Sequence, residues 1–487
     1  MQDYSEKVQV IHNEKFGRHL VAQLDIEAGD TLVEERPLLV APHWECGQMK
    51  CAKCLQESYV MCRSCKMFPL CMDCQGHDDF ECQFFASGGP GGYICKDLLV
   101  KNYGVCALMK FLLLLEDPST RKDCERLLET PINLDDYRDG DGMWQEHEEL
   151  AVRPLMASGL LMSLTQAQSL TADDLHAYCI RIDSYSFEVT ARDGDTLKGV
   201  FVCGSLPHHC VPNTVVALDE EFNLKLYAAV DLKSGEVIYN SYTNPLMGTS
   251  QRQHQLRLTR RLECSCSRCL DPTECGTNMS SVKCRECPDG YALCELSSGG
   301  DWRCSKCSAI LPAADVHELL AELGGALVEA KGELQAFESL LAQYKTLLHP
   351  NHFLMLDIKQ NIASILRATA LMNCMDQPSK KLLARRVELC SELLPICRAV
   401  VPGISKLYAI ALFEYLLSLI ELVELQFSEG ELNKKEYATH LKTGRLVAKE
   451  AMDLLRFEPE NSSEGYLVER LAMELERIES DIAKYGR

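Results

Sequence analysis

Cysteine spacing carries the clearest chemistry in this sequence. Cys51-x2-Cys54, Cys62-x2-Cys65 and Cys71-x2-Cys74 are three pairs, and His77 and Cys82 complete eight candidate ligands within 32 residues. A C-x2-C turn puts two thiolates on one side of a zinc ion, and two pairs complete a tetrahedron. Eight ligands can hold two ions, and so short a block needs the metal to fold. A second set, Cys264-x-Cys266-x2-Cys269, supplies three ligands. Its candidate fourth is Cys210, within Leu206-Pro207-His208-His209-Cys210-Val211-Pro212-Asn213. A third set, Cys284-x2-Cys287 and Cys304-x2-Cys307, has 16 residues between the pairs, the pattern of a zinc ribbon. Cys275 and Cys294 lie close enough to substitute there. About four zinc ions per chain follow from these sets. The remaining cysteines, Cys95, Cys106, Cys390 and Cys397 among them, read as core residues.

The elements that must position these ligands are legible in outline. The chain has 487 residues, 46% hydrophobic and 25% charged, which predicts several globular units. Residues 1–45 read as short strands punctuated by Gly17 and Gly29. After the first cysteine block, residues 86–92 read as a flexible linker, and residues 94–178 as mostly helical, with an apolar helix at Cys106–Glu116. The run from Asp135 to Gly142 reads as a solvated acidic loop. Residues 179–245 return to strand-like alternation, as in Ile180-Arg181-Ile182 and Leu224-Lys225-Leu226. Beyond residue 313 the period is helical, six or seven helices fit, and stacked helical hairpins of tetratricopeptide kind are expected.

Charge and hydropathy exclude some functions. A net charge of −21 among 26 cysteines and 71 acidic residues disfavours sequence-specific or broad DNA binding and suits a groove for a basic peptide. Met1 to Val10 has no apolar signal core, so an intracellular location, nucleus or cytoplasm, is expected and disulfides are not. The apolar run Leu407–Ile420 is interrupted by Glu414 and reads as a buried helix, so no membrane association is expected.

Several motifs together resemble a known family. The order of the eight ligands in 51–82 resembles a MYND finger. Leu206–Asn213 resembles the N-H-S-C-x-P-N signature of SET domains, Gly17-Arg18-His19-Leu20-Val21-Ala22 their G-R-G-L-x-A segment, and Gly235–Tyr242 their G-E-E-I-x-x-S-Y motif. Cys264-x-Cys266-x2-Cys269 is similar to the post-SET motif. A SET domain split by a MYND finger and followed by helices is the layout of the SMYD family. The ribbon and Leu348-His349-Pro350-Asn351-His352 most resemble its arthropod SmydA branch.

The resemblance implies an α+β, zinc-rich fold. It divides the chain into a SET N-terminal part (1–48), MYND finger (49–85), linker and helical insert (86–178) and SET core (179–247). A post-SET segment (248–275), zinc-ribbon-like unit (276–310) and helical TPR-like domain (313–487) follow. It implies that Cys51, Cys54, Cys71 and Cys74 hold one ion and Cys62, Cys65, His77 and Cys82 another, and that Cys210 closes the post-SET site. The third MYND pair departs from the usual C-x3-C. The implied activity is protein-lysine N-methylation with S-adenosylmethionine, with Tyr242 catalytic and Gly17, Arg18, His19, His208 and Tyr242 at the cofactor. The finger implies a proline-rich partner, and a monomer is expected. Five positions depart from the SET pattern: Pro207 replaces the signature Asn, His209 the usual Ser, Tyr185 a small amide, and Arg260 and Leu262 an aromatic pair. They support an alternative, a catalytically degenerate peptide-binding adaptor in transcriptional regulation.

Overall fold

A computed structural model describes residues 2–13, 16–86, 92–129, 132–138, 142–191, 194–202, 206–294, 300–372, 379–460 and 462–486. The fold is mixed helix and sheet with a helical C-terminal region. Among the described residues, nine short strands build the first part: β1 (Gln2–Tyr4), β2 (Val8–Asn13), β3 (Gly17–Ala22), β4 (Thr31–Glu35), β5 (Leu39–Ala41), β6 (Ser186–Thr190), β7 (Thr196–Val200), β8 (Thr214–Leu218) and β9 (Leu224–Ala228). They form three antiparallel sheets, ordered β1-β4-β9-β8, β2-β3 and β5-β7-β6. Strands from before residue 42 thus pair with strands from after residue 185. Everything between is an insertion that leaves one edge of the β5-β7-β6 sheet and returns at its other edge. Leu20, Ala22, Leu32, Val33, Leu226 and Ile238 fill the space between these sheets.

The insertion carries the cysteine block and the predicted helices. The helix Cys106–Glu116 spans the expected residues and is buried on nearly all sides. Phe68, Met67 and the zinc-site cysteines pack against it, so metal module and helices share one core. Two expectations fail here. Ile180-Arg181-Ile182 lies inside the helix Ala172–Ser184, whose Thr171–Asp174 capping box fixes its start. Three alternating residues were too few to outweigh a capped helix of 13. Asp135–Arg138 is a helical turn rather than a solvated loop, because Tyr137 is buried. The expected linker residues 87–91 and the Cys95 side chain lie outside the described residues.

After Cys264, Cys266 and Cys269, β10 (Val282–Lys283), β11 (Tyr291–Cys294), β12 (Trp302–Cys304) and β13 (Ile310–Leu311) form a small antiparallel meander. Seven helices then follow among the described residues: Ala313–Glu329, Leu334–Tyr344, Phe353–Met372, Lys380–Val400, Lys406–Ser428, Lys434–Leu454 and Ser463–Tyr485. Short turns join most of them, and they pack on one another in chain order. This region docks on the strands through Gly403, Ile404 and Phe457. The Ile404 amide donates to the Ala229 carbonyl at 2.9 Å, and Phe457 stacks on Tyr227 with ring centres 3.8 Å apart. Gly403 has φ +75°, and a Cβ there would lie 1.9 Å from the Ala229 oxygen, so only glycine fits. Among the described residues, no helix is long and apolar enough to cross a membrane.

Candidate functional site

Four Cys/His quartets are each gathered so that their ligand atoms lie within 4.8 Å of one another. They are Cys51, Cys54, Cys71 and Cys74; Cys62, Cys65, His77 and Cys82; Cys210, Cys264, Cys266 and Cys269; and Cys284, Cys287, Cys304 and Cys307. Sulfur separations of 3.5 Å for Cys54–Cys71, 3.8 Å for Cys62–Cys82 and 3.6 Å for Cys287–Cys304 are far longer than a disulfide. They match the edge of a tetrahedron with zinc–sulfur bonds of about 2.3 Å. At least one thiol in each quartet is drawn toward the thiolate. Burial raises Cys51 and Cys62, but backbone N–H donors more than offset it and bring them to about 7 and about 6. Cys210 falls to about 7 through the Cys264 thiol, and Cys304 to about 6 through the Cys307 amide. These donor sets fit zinc. Cys275 and Cys294 take no part in the ribbon quartet, where Gly290 lies so close that a Cβ would meet the Cys287 sulfur at 2.4 Å.

The quartet at Cys210 differs from the others in what surrounds it. Arg252, Arg268 and Glu274 are each at most 1% exposed beside it. Arg252 donates to Glu274 at 2.7 Å and to the Cys269 sulfur at 3.7 Å, and Arg268 reaches Glu274 at 3.3 Å. Two guanidinium groups on one carboxylate leave a surplus positive charge. A zinc ion on four thiolates carries a charge of −2, so the triad's surplus positive charge offsets about half of it and each lowers the cost of burying the other.

The same quartet forms one wall of a cavity of about 510 Å3, lined among others by Phe16, Tyr185, Pro207, His208, Tyr239, Tyr242, Arg260, Cys264 and Cys266. Hydrogen bonds hold its two motif segments side by side. The Asn213 amide donates to the Val237 carbonyl at 2.9 Å and accepts from the Tyr239 N–H at 2.7 Å. The Asn240 N–H donates to the Pro207 carbonyl, and the His209 N–H to the Asn240 carbonyl. This register places the Tyr242 N–H on His208 Nδ1 at 3.1 Å, and the Tyr242 hydroxyl on the Leu206 carbonyl at 2.8 Å. Burial holds His208 down to about 4, so its ring is neutral near pH 7.

The expected cofactor residues divide between two adjoining cavities. His208 and Tyr242 line the first. Gly17, Arg18 and His19 line a second of about 410 Å3, which shares Phe16, Tyr185 and Leu206 with the first. His19 is buried against Gly17, its Nδ1 2.9 Å from that carbonyl.

Two lining groups escaped the motif reading: Tyr137 sits on the presumed loop and Arg181 on the presumed strand. His209, expected as a departure from the usual Ser, lines the cavity and packs 5.2 Å from the Tyr239 ring. Arg260, expected as a departure from the aromatic pair, lines the cavity as well. Its guanidinium carbon lies 4.1 Å from the Tyr242 ring centre, and its Nη1 donates to the Ser184 carbonyl. A signal for it existed: Arg252, Leu256 and Arg260 recur at helical spacing along Thr249–Arg260, the face turned toward the metal and the cavity.

Comparison with known proteins bears on this arrangement. No family model matches the chain. It is 26% identical over 314 residues to SET domain-containing protein SmydA-8, isoform A, of Drosophila melanogaster, covering 61% of this chain and 64% of that protein. Isoform B matches at 25% identity, covering 66% of its length. The resemblance to the SMYD family is borne out. The chain thus spans somewhat under two thirds of these SET-domain relatives. A shorter match, 44% identical over 69 residues, is to histone-lysine N-methyltransferase SET5 of Meyerozyma guilliermondii, covering 14% of each chain. Among solved structures, the SET domain of LSMT bound to lysine and AdoHcy aligns at 14% identity with a TM-score of 0.30, covering 87% of this chain and 88% of that one.

Proposed function

We propose that this chain is a SET-type protein-lysine N-methyltransferase that takes S-adenosylmethionine in the cavity beside Tyr242 and accepts lysines on basic protein segments. The observation that carries the reading is the joining of the 206–213 and 235–242 segments through Asn213, which sets His208 and Tyr242 on one cavity beside the post-SET quartet. The relatives named as SET-domain proteins and histone-lysine methyltransferases support it. The cavity volume lies within the roughly 300–1,000 Å3 of small-molecule sites, and Phe16, Tyr185 and Tyr239 offer aromatic surface for an adenine.

When bound, S-adenosylmethionine supplies an electrophilic methyl group for in-line transfer to a neutral amine. The chain supplies position and a suitable medium. As donor to Leu206, the Tyr242 phenol keeps acceptor capacity on its oxygen and is fixed in direction. Neutral His208 braces the Tyr242 backbone without adding charge. The acidic surface implied by a net charge of −21 favours approach of basic segments.

A second reading, a peptide-binding adaptor without catalysis, is favoured by one observation: the Arg260 guanidinium covers the Tyr242 ring. The experiment that separates them incubates zinc-loaded full chain with methyl-labelled S-adenosylmethionine and a pool of basic proteins. The enzyme reading expects label on lysines, lost in Tyr242→Phe. Absence of label, with no cofactor binding, leaves the adaptor.

A further inference from the structure

The ring of Tyr242 already carries a cation. Arg260 lies over it at 4.1 Å and is tied to the Ser184 carbonyl, and among the described residues no carboxylate pairs with it. Apart from the thiolate quartet at Cys264 and Cys266, the charged groups on the cavity wall leave it without a close counter-charge. Arg181 is buried, its guanidinium spent on the carbonyls of Leu127, Ala177 and Leu128. Among the described residues, the one carboxylate lining the cavity, that of Glu263, is exposed to solvent. Arg260 is thus the cation held directly against the Tyr242 ring, with the thiolate quartet as the negative group on the wall beside it. A guanidinium does not lose its proton at any working pH. Arg260 is also held in place. It ends the helix Thr249–Arg260, where the carbonyl end favours a cation, and the same helix is anchored by Arg252 in the buried triad.

We propose that Arg260 makes the cavity select by charge, so that an adenosyl ligand with a neutral thioether is held more tightly than the same ligand with a sulfonium. The inference deepens the enzyme reading and rests on its placement of an adenosyl group in this cavity. The physical reason is Coulomb repulsion. Two unit positive charges at one aromatic face repel strongly in a partly desolvated site, and the half-exposed position of Arg260 screens part of that. The ring can serve one cation well, and Arg260 is built in. In the catalytic setting the methylated cofactor must displace Arg260, and the demethylated product need not. Product would therefore be retained, and turnover would respond to anything that draws Arg260 away, such as an acidic residue beside the target lysine.

The test is calorimetric titration of the zinc-loaded full chain with S-adenosylmethionine and with S-adenosylhomocysteine, which differ by one methyl group and one positive charge. The expected result for the native chain is about tenfold tighter binding of the homocysteine form, equivalent to about 1.4 kcal/mol. Arg260→Met should bring the two affinities together, mainly by strengthening the sulfonium ligand, and Arg260→Lys should keep the preference. Comparing the ratio between native chain and variant cancels the contribution of the methyl group itself. If both ligands bind and the ratio is the same with and without Arg260, the charge-selection inference falls while the cofactor reading stands. If neither ligand binds the native chain or Arg260→Met, the cofactor reading falls and the inference with it.

Discussion

The quartet at Cys210 and the cavity beside it share Cys264 and Cys266 as a common wall, yet they follow the family pattern to different degrees. The quartet keeps every ligand, brings Cys210 to Cys269 at 3.5 Å across 59 positions, and is backed by three buried charged groups. The cavity keeps His208 and Tyr242 but carries proline at 207, tyrosine at 185 and arginine at 260. A metal site of four thiolates fails as a whole when one ligand is lost, because the remaining charges stay buried and unpaired. A cavity wall can change one side chain at a time, since each borders solvent or ligand on one side. The difference teaches that the fold and its scaffold can be read with assurance from metal ligands, whereas the choice of ligand is written in the wall residues.

This contrast can be broken most severely at the metal. Cys269→Ser should remove one zinc and leave Arg252 and Arg268 facing Glu274 alone, a loss of about 3–5 kcal/mol that thermal melting with parallel metal analysis would register. Cys307→Ser, in the quartet whose corresponding ligand is exposed, should also remove one zinc but shift the melt much less. Next in size is Glu274→Gln. It leaves two buried guanidinium groups without a counter-charge on that side, and a loss of about 3 kcal/mol is expected from denaturant unfolding. Equal melting of the Cys269, Cys307 and Glu274 variants would erase the distinction between a buried, charge-matched site and a surface one.

The cavity should answer in the opposite sense. Arg260→Met removes a half-exposed cation–π contact, so stability should fall by about 1 kcal/mol or less while ligand affinity changes about tenfold. A smaller effect should appear at the joint between ribbon and helices. His352 is fully buried, and burial together with His349 lowers its pKa to about 3, against 6.5 when exposed. The unfolded chain therefore takes up a proton below pH 6.5 that the folded chain refuses. The stabilising contribution is complete above pH 6.5 and declines as pH falls toward 3, by up to about 1.4 kcal/mol per unit. His352→Asn should flatten that part of the stability profile, measured by denaturant unfolding between pH 7 and 5.

How legible the molecule was depends on the kind of signal. Cysteine spacing announced the quartets because a tetrahedral ion accepts few arrangements, and the apolar period placed Cys106–Glu116 and the later helices. Ile180–Ile182 misled because alternation over three residues is weaker than the Thr171–Asp174 capping box that starts the helix. Tyr137 was hidden in a run of aspartates, since burial of one ring depends on what packs over it. Arg252, Arg268 and Glu274 could not be told from surface charges by composition. Only the fold reveals that they lie against four thiolates. Arg260 was visible as a departure from the family pattern, but its place over Tyr242 was not.

The most direct test of an intact metal scaffold around a remodelled cavity is native mass spectrometry of the full chain, with and without S-adenosylhomocysteine. The account predicts four zinc ions per chain and one added ligand mass, with the ligand lost when the Cys210 quartet is emptied. Two or fewer zinc ions, or four zinc ions with no ligand at millimolar concentration, would contradict it.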